Sequence, residues 1–337
     1  MKNDDYPIDF VVTWVDGNDP VWQAEKAKYS PHKNEDNRNI RYRDWDNMQY
    51  WFRAVEKFAP WVNKIHFVTY GHLPKWLNTD CPKLNIAKHS DFIPKEYLPT
   101  FSSQPIELNL HRISGLAERF VYFNDDMFLL KPVPEDLFFK NGLPTDFAIT
   151  STISTTTSED MMPFIKLNCI TILNDNFDKK EQMKKYFYKW INPTYGWNAL
   201  RNLIFYGQHR FKGFANNHLA FSFLKSEYEN IWAKEFDALD ETSRHKFRSK
   251  IDLDNWLIRY WQLVRGNFSP IGRHVKGKVY EVYNGVEQNQ TLFDIIEKQQ
   301  MPMICINDND NIDFEPMKER LKQAFDKILP EKSSFEK

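Results

Sequence analysis

Three short apolar runs constrain the fold more than anything else in this chain: Ile8–Val15 (IDFVVTWV), Lys64–Thr69 (KIHFVT) and Arg119–Phe123 (RFVYF). Each is rich in β-branched and aromatic residues, as strands are. Each also ends on turn formers: Asp16-Gly17-Asn18-Asp19-Pro20, then Gly71, then Asn124-Asp125-Asp126. Between the first two, Asn47–Phe58 sets apolar side chains at helical spacing, and Ala59-Pro60 stops it. Strands alternating with helices predict a mostly parallel α/β sheet, because parallel neighbours need a crossover between them.

The rest of the chain reads less evenly. Residues 23–40 are polar, a loop or a frayed helix, and Asn85–Ala87 is a further short strand. Ser102–Ser114 reads as a polar helix, and 145–172 alternates Thr, Ser and apolar residues as strands do. Residues 218–238 and 252–264 read as helices, and Phe314–Ile328 as an amphipathic one. The stretch 177–212 is rich in Lys, Tyr and Trp, and reads as an exposed helix face with a packed aromatic side; a surface meeting an anionic phosphoglycan or a lipid-linked acceptor at the membrane is the alternative. This divides the chain into a sheet lobe at 1–150 and a helix-rich part at 151–337, which completes the site or continues one domain.

Composition excludes several classes. The formal charge of −1 gives no basic field for nucleic acid. Cys81, Cys169 and Cys305 are isolated, which argues against a disulfide framework or a structural zinc site and fits a reducing compartment. The N-terminus enters a strand-like run without a secretory pattern, and no apolar run reaches the roughly 20 residues that span a bilayer. The expectation is a cytoplasmic protein whose membrane contact is peripheral, at the inner face. No GxGxxG, Walker A, HExxH or GxSxG motif is present, which disfavours hydride transfer, P-loop phosphotransfer, zincin and serine-hydrolase chemistry.

The chemistry-bearing candidates are strand-end acids and basic groups. Asp125 and Asp126 close an apolar strand, where open α/β sheets bind ligands, and can hold a hard divalent cation on a diphosphate; a plain polar turn is the alternative. Ile304–Asp308 (ICIND) repeats that arrangement and offers Asp308. Asp9 stands in an apolar strand, so it must be exposed, paired or functional, because an unpaired buried carboxylate is costly. Asp16-Gly17-Asn18-Asp19 could form a tight turn whose backbone approaches a phosphate or nucleotide, with a plain Asx-turn the alternative. His218, read here at a helix start, is of a residue type that titrates near neutrality and suits a general base; a structural histidine is the alternative. Ser243–Arg248 is a basic cluster able to clamp phosphate oxygens, or else a solvated helix face.

Taken together, these blocks resemble the Stealth family, which includes bacterial capsular polysaccharide phosphotransferases and the catalytic part of animal N-acetylglucosamine-1-phosphotransferase. The matching residues run from Pro7-Ile8-Asp9 through Thr13–Gly17. They continue from Arg41–Asp44 through Ala59–Val62, Phe67–Gly71 and Pro74–Leu77 to Phe101–Ser103, Ile106-Glu107, His111–Ile113, Gly115-Leu116 and Asn124–Asp126. His218 and Thr242–Arg248 follow, then Ile304–Asp308 and Leu329–Glu336. Where relatives often carry proline, this chain has Ala220.

The resemblance implies a Rossmann-like, GT-A-like sheet lobe and a sugar-1-phosphate transferase. A UDP-sugar donor binds with Mg²⁺ or Mn²⁺, and an oligosaccharide, polysaccharide or lipid-linked glycan hydroxyl attacks the phosphorus carrying the sugar. UMP leaves. The implied metal ligands are Asp126 and Asp308, with Asp125 beside them. His218 is the base, Asp9 the rival, and Arg248 steadies phosphate oxygens. Glu107, Asp16 and Arg112 are the remaining donor-binding candidates. A metal-dependent glycosyltransferase that releases UDP, or a non-catalytic glycan-binding module, are the alternatives.

Overall fold

The computed structural model describes residues 6–29, 42–155, 157 and 160–337. In chain order the strands are β1 (Ile8–Trp14), β2 (Ile65–Thr69), β3 (Leu84–Lys88), β4 (Arg119–Phe123), β5 (Met127–Leu129), β6 (Phe139–Lys140) and β7 (Leu143–Asp146), then β8 (Phe221–Leu224), β9 (Ser269–Pro270), β10 (Gly277–Glu281) and β11 (Met303–Asn307). The main sheet has the order β3-β2-β1-β4-β8, parallel throughout except for β8, which pairs antiparallel with β4. A small sheet, β10-β11-β5, and a smaller one, β6-β7-β9, pack beside it.

The period of two along a strand decides which layer each side chain enters. Ile8, Phe10, Val12 and Trp14 of β1, with Val121 and Phe123 of β4, face one layer that includes the helices Met48–Phe58 and Phe314–Ile328 and the small sheet. Val11, Phe120 and Tyr122 face the other, built by the helices Met162–Asn176, Lys225–Lys234 and Asn255–Val264. Sheet strands covered on both faces read as unbroken apolar runs, which is why these were legible. Both layers draw on residues from both halves of the chain: β8 closes the main sheet, and β11 pairs with β5.

Three sequence expectations need correction. Phe221–Leu224 is a strand rather than the start of a helix, so His218 lies in the loop before a strand; the helix begins at Lys225. The aromatics Phe221 and Phe223 alternate at strand period, and pairing with β4 overrode the helical pattern beyond them. Within 145–172, residues from Met162 onward form a helix whose buried Ile165, Cys169 and Leu173 recur every four residues. In 177–212 the packed aromatic side exists, formed by Trp190, Tyr195 and Phe211, but a second apolar set at 197–204 faces outward, as described below. Of the region 23–40, Pro20–Lys28 is a helix capped by Asp19, whose side chain accepts from the Trp22 N–H (2.7 Å); residues 30–40 lie outside the described residues.

Candidate functional site

β4 ends at Phe123, and Asn124-Asp125-Asp126 carries the chain from the main sheet into β5 of the small one. Asp126 therefore stands on the seam between two sheets, where the Ile306 N–H donates to its carbonyl (2.9 Å). The Cys305 thiol donates to Asp126 Oδ2 (3.2 Å), and His218 Nε2 lies 3.5 Å from the same oxygen. Asn124 Nδ2 is 3.4 Å from His218 Nε2. Asp126, His218 and Cys305 each offer a ligand atom, all within 4.8 Å of one another. Asp126 Oδ1 is buried and has no hydrogen-bond partner. A buried polar atom without a partner calls for an explanation, and a bound ion is a common one.

This cluster opens on a cavity of about 760 Å³ at the carboxyl ends of β1 and β4, lined also by Glu107, Arg248, Asp254 and Asp308. A space of this size suits a small-molecule substrate. Eight carboxylates line it, those of Asp44, Glu107, Asp125, Asp126, Asp254, Glu281, Asp308 and Asp310, against the cations Arg43, Lys166 and Arg248. An anionic diphosphate would not enter such a wall without a compensating cation.

The titration behaviour reflects that crowding. Burial, then the neighbouring Asp126 and Asp44 charges, push the Asp125 carboxyl up to about 8. Burial and Glu107 raise Asp254 to about 7. Burial also raises Glu107, opposed by a Ser103 hydrogen bond and by Arg248 and His218. At His218 burial pulls the other way, but the Asp126 carboxylate outweighs it and holds the imidazole above its ordinary value. Burial, reinforced by Asp126, lifts the Cys305 thiol well above its usual range. Cys305 is thus a protonated donor that orients Asp126.

The other candidates separate. Arg248 reaches the cavity from the basic cluster, touching Ser103 Oγ and Gln104 Oε1 at 3.3 Å each; Arg244 is instead exposed and paired with Asp240. Asp308 lines the cavity, yet Arg43 holds both its oxygens at 2.7 Å and the Trp45 N–H donates to it at 3.2 Å. It is therefore not grouped with Asp126. Asp9 is fully buried at the start of β1, away from the cavity lining. It accepts from Asn63 Nδ2 (2.7 Å) and the Ala117 N–H (2.8 Å), and contacts His66 Nε2 (2.9 Å), so pairing resolves its burial. Arg112 is exposed and lies over the Trp232 ring, and Asp16 accepts from the Asn18 N–H in its turn; neither lines the cavity. Sequence reading passed over Cys305 as a candidate because a cysteine in an apolar strand reads as core. It passed over Arg43 because its partner is 265 residues away.

Comparison with known proteins decides the family. Residues 41–146 match the model of the Stealth protein conserved region 2, and residues 6–33 that of conserved region 1. The whole chain is 43% identical to a capsular polysaccharide phosphotransferase, WcwK, of Streptococcus pneumoniae, covering 100% of both chains. This chain belongs to the Stealth family. The Stealth chain is also 40% identical to the receptor polysaccharide phosphotransferase WefC of Streptococcus oralis, over 98% of this chain and 99% of the relative. It is 39% identical to the exopolysaccharide phosphotransferase cps2G of Lactiplantibacillus plantarum, over 98% and 97%. It is an enzyme, a phosphotransferase of that family. Among solved structures it bears a distant likeness to the galactosyltransferase LgtC, at a TM-score of 0.36 and 7% identity over 94% of this chain and 95% of that one.

Proposed function

We propose that this Stealth enzyme transfers sugar-1-phosphate from a UDP-sugar to a glycan hydroxyl in capsular or surface polysaccharide synthesis. The observation carrying this reading is the convergence of Asp125, Asp126, His218, Arg248 and Glu107 on one acidic cavity at the carboxyl ends of parallel strands. The name shared by its full-length relatives supports it.

The cavity's donor set fits a hard divalent cation such as Mg²⁺ or Mn²⁺. Asp126 presents an unpartnered buried oxygen, and Asp125 adds a second carboxylate beside it. Asp308 becomes a further ligand if the Arg43 pair opens. When bound, the metal would neutralise charge on the diphosphate. His218 takes the proton from the acceptor hydroxyl as its oxygen bonds to the phosphorus bearing the sugar. The bond from that phosphorus to the bridging oxygen breaks, and the electron pair leaves with UMP. Arg248 steadies the phosphoryl oxygens, and Glu107, at the cavity wall, binds donor hydroxyls. Asp9 has no place in this scheme.

Product analysis tests the reading directly. The expected products are UMP and a glycan with a phosphodiester ³¹P signal; UDP with no phosphorus in the glycan would mean glycosyl transfer instead. His218→Ala is expected to lower kcat roughly 10²–10³-fold with donor KM little changed, as loss of a general base does. Initial rates across donor concentrations measure this. An unchanged kcat with weakened donor binding would make His218 a substrate ligand.

A further inference from the structure

Within 177–212, Met183, Trp190, Tyr195 and Phe211 are buried, but the helix Ala199–Tyr206 and the turn before it present an apolar side outward. In the helix Ala199–Tyr206 the side chain turned fully inward is Asn202, which is 0% exposed. Its amide donates to Ala148 O (2.5 Å) and Trp190 O (2.6 Å), and its Oδ1 accepts from the Thr150 N–H (2.7 Å). Facing water are Leu200, Leu203 and Ile204, the last 75% exposed. Just upstream, Trp197 is 87% exposed and Tyr188 83%, with Phe187 against Tyr188 at a ring separation of 5.6 Å. All eleven tryptophans lie in the described residues, and only Trp197 is classed as exposed. Trp190 and Tyr195 are buried, so the segment has its own inner anchors and the outward set is surplus to them.

Leaving aliphatic and indole surface in water while burying an amide reverses the usual arrangement of an amphipathic helix. An apolar patch rimmed by polar residues marks a surface that meets something else. The charge around it identifies what. Residues 177–212 carry six lysines, of which Lys179 is buried, and two arginines against Asp178 and Glu181, in a chain whose formal charge is −1. Lys184 and Lys185 are exposed beside Phe187 and Tyr188 in sequence. Branched aliphatics offer a sugar ring little to stack on, whereas Trp, Tyr and Leu over a basic rim match the headgroup–acyl boundary of an anionic bilayer. Among the described residues no helix is long and apolar enough to cross a membrane, so the contact would lie on the surface.

We propose that this face docks the enzyme on an anionic membrane, with Trp197 and Ile204 entering the headgroup–acyl boundary and Lys184 and Lys185 meeting lipid phosphates. The surface adjoins the cavity through the chain itself. Arg201 donates to Ser151 Oγ (2.9 Å), Thr150 bridges to Phe214, and Asn216 and His218 then line the cavity. Docking there favours a lipid-linked acceptor, a consequence that rests on the transfer reading above; the docking does not.

The test uses the full chain, no substrate, and vesicles of phosphatidylcholine alone or with about one-third phosphatidylglycerol, a fraction that gives a strongly anionic surface. Wild type is expected to float with the anionic vesicles, and brominated lipid to quench its Trp197 fluorescence. Trp197→Ala/Ile204→Ser is expected to weaken vesicle binding about tenfold or more, and Lys184→Glu/Lys185→Glu to weaken it on anionic vesicles. Thermal melting of both variants should match wild type, because these positions are exposed. No flotation of wild type, or equal flotation of the Trp197/Ile204 variant, would overturn the proposal. So would a stable dimer in sedimentation that this variant abolishes, which would assign the face to a second copy. UMP release from donor and a soluble acceptor is measured separately, so failure of docking and failure of the transfer reading are told apart.

Discussion

Asp126→Asn is expected to lower kcat by roughly a thousandfold or more, the scale on which one preorganised charge acts at a phosphoryl centre. The fold should survive. An asparagine at 126 still offers an oxygen to the Cys305 thiol, and the backbone bond from Ile306 is untouched. What is lost is the negative charge of the carboxylate whose second oxygen is buried without a partner. Steady-state kinetics with a melting curve measure both halves. Isothermal titration with Mn²⁺ adds a readout independent of turnover, and the mutant should bind the ion markedly more weakly. Near-normal kcat with an unchanged melting temperature would remove Asp126 from the site.

The second large effect is on stability. Arg259, 1% exposed, holds both oxygens of Asp146 at 2.7 and 2.8 Å and also donates to Asn216 Oδ1 and Ala215 O. Arg259→Met leaves the buried Asp146 carboxylate to the Phe147 N–H and the nearby Lys276, a loss of about 3–5 kcal/mol for a broken buried pair. For a chain of 337 residues the melting temperature should fall by roughly 4–7 °C. Replacing both partners, as in Arg259→Met/Asp146→Leu, should recover much of that loss, because the penalty lies in the orphaned charge. Denaturant titrations of the two variants decide the point. Equal destabilisation of single and double variants would mean packing, and not charge, is what the pair supplies. Asn216 lines the cavity two residues before His218, so the single variant should also lose turnover at temperatures where it is still folded.

The sheet was legible where burial on both faces leaves only apolar residues, as in Phe10–Val12 and Phe120–Phe123. It was not legible in Phe221–Leu224, four residues at the edge of a helical pattern, whose strand state depends on pairing with β4. The carboxylates at the end of β4 were visible because position along a strand fixes where they emerge. Their partners were not. Cys305 meets Asp126 across 179 residues, and nothing local marks a strand cysteine as the donor to that carboxylate. For Asp9 the sequence raised the right question, a carboxylate in an apolar strand. The answer required His66, Asn63 and Ala117, which only the fold assembles. The outward apolar face at 197–204 was not singled out, because periodicity reports that a helix has two sides, not which of them is turned in.

On the function proposed above, the late strand β11 becomes a condition of activity through the seam under Asp126. Its backbone and side chain are gripped by Ile306 and Cys305, on a strand that joins only after nearly everything else has been made. Every strand of the five-stranded sheet lies upstream of residue 225, whereas β11 and the helices Asn255–Val264 and Phe314–Ile328, which help to cover its two faces, lie downstream. A chain that stops before β11 therefore lacks both groups that hold Asp126 in place.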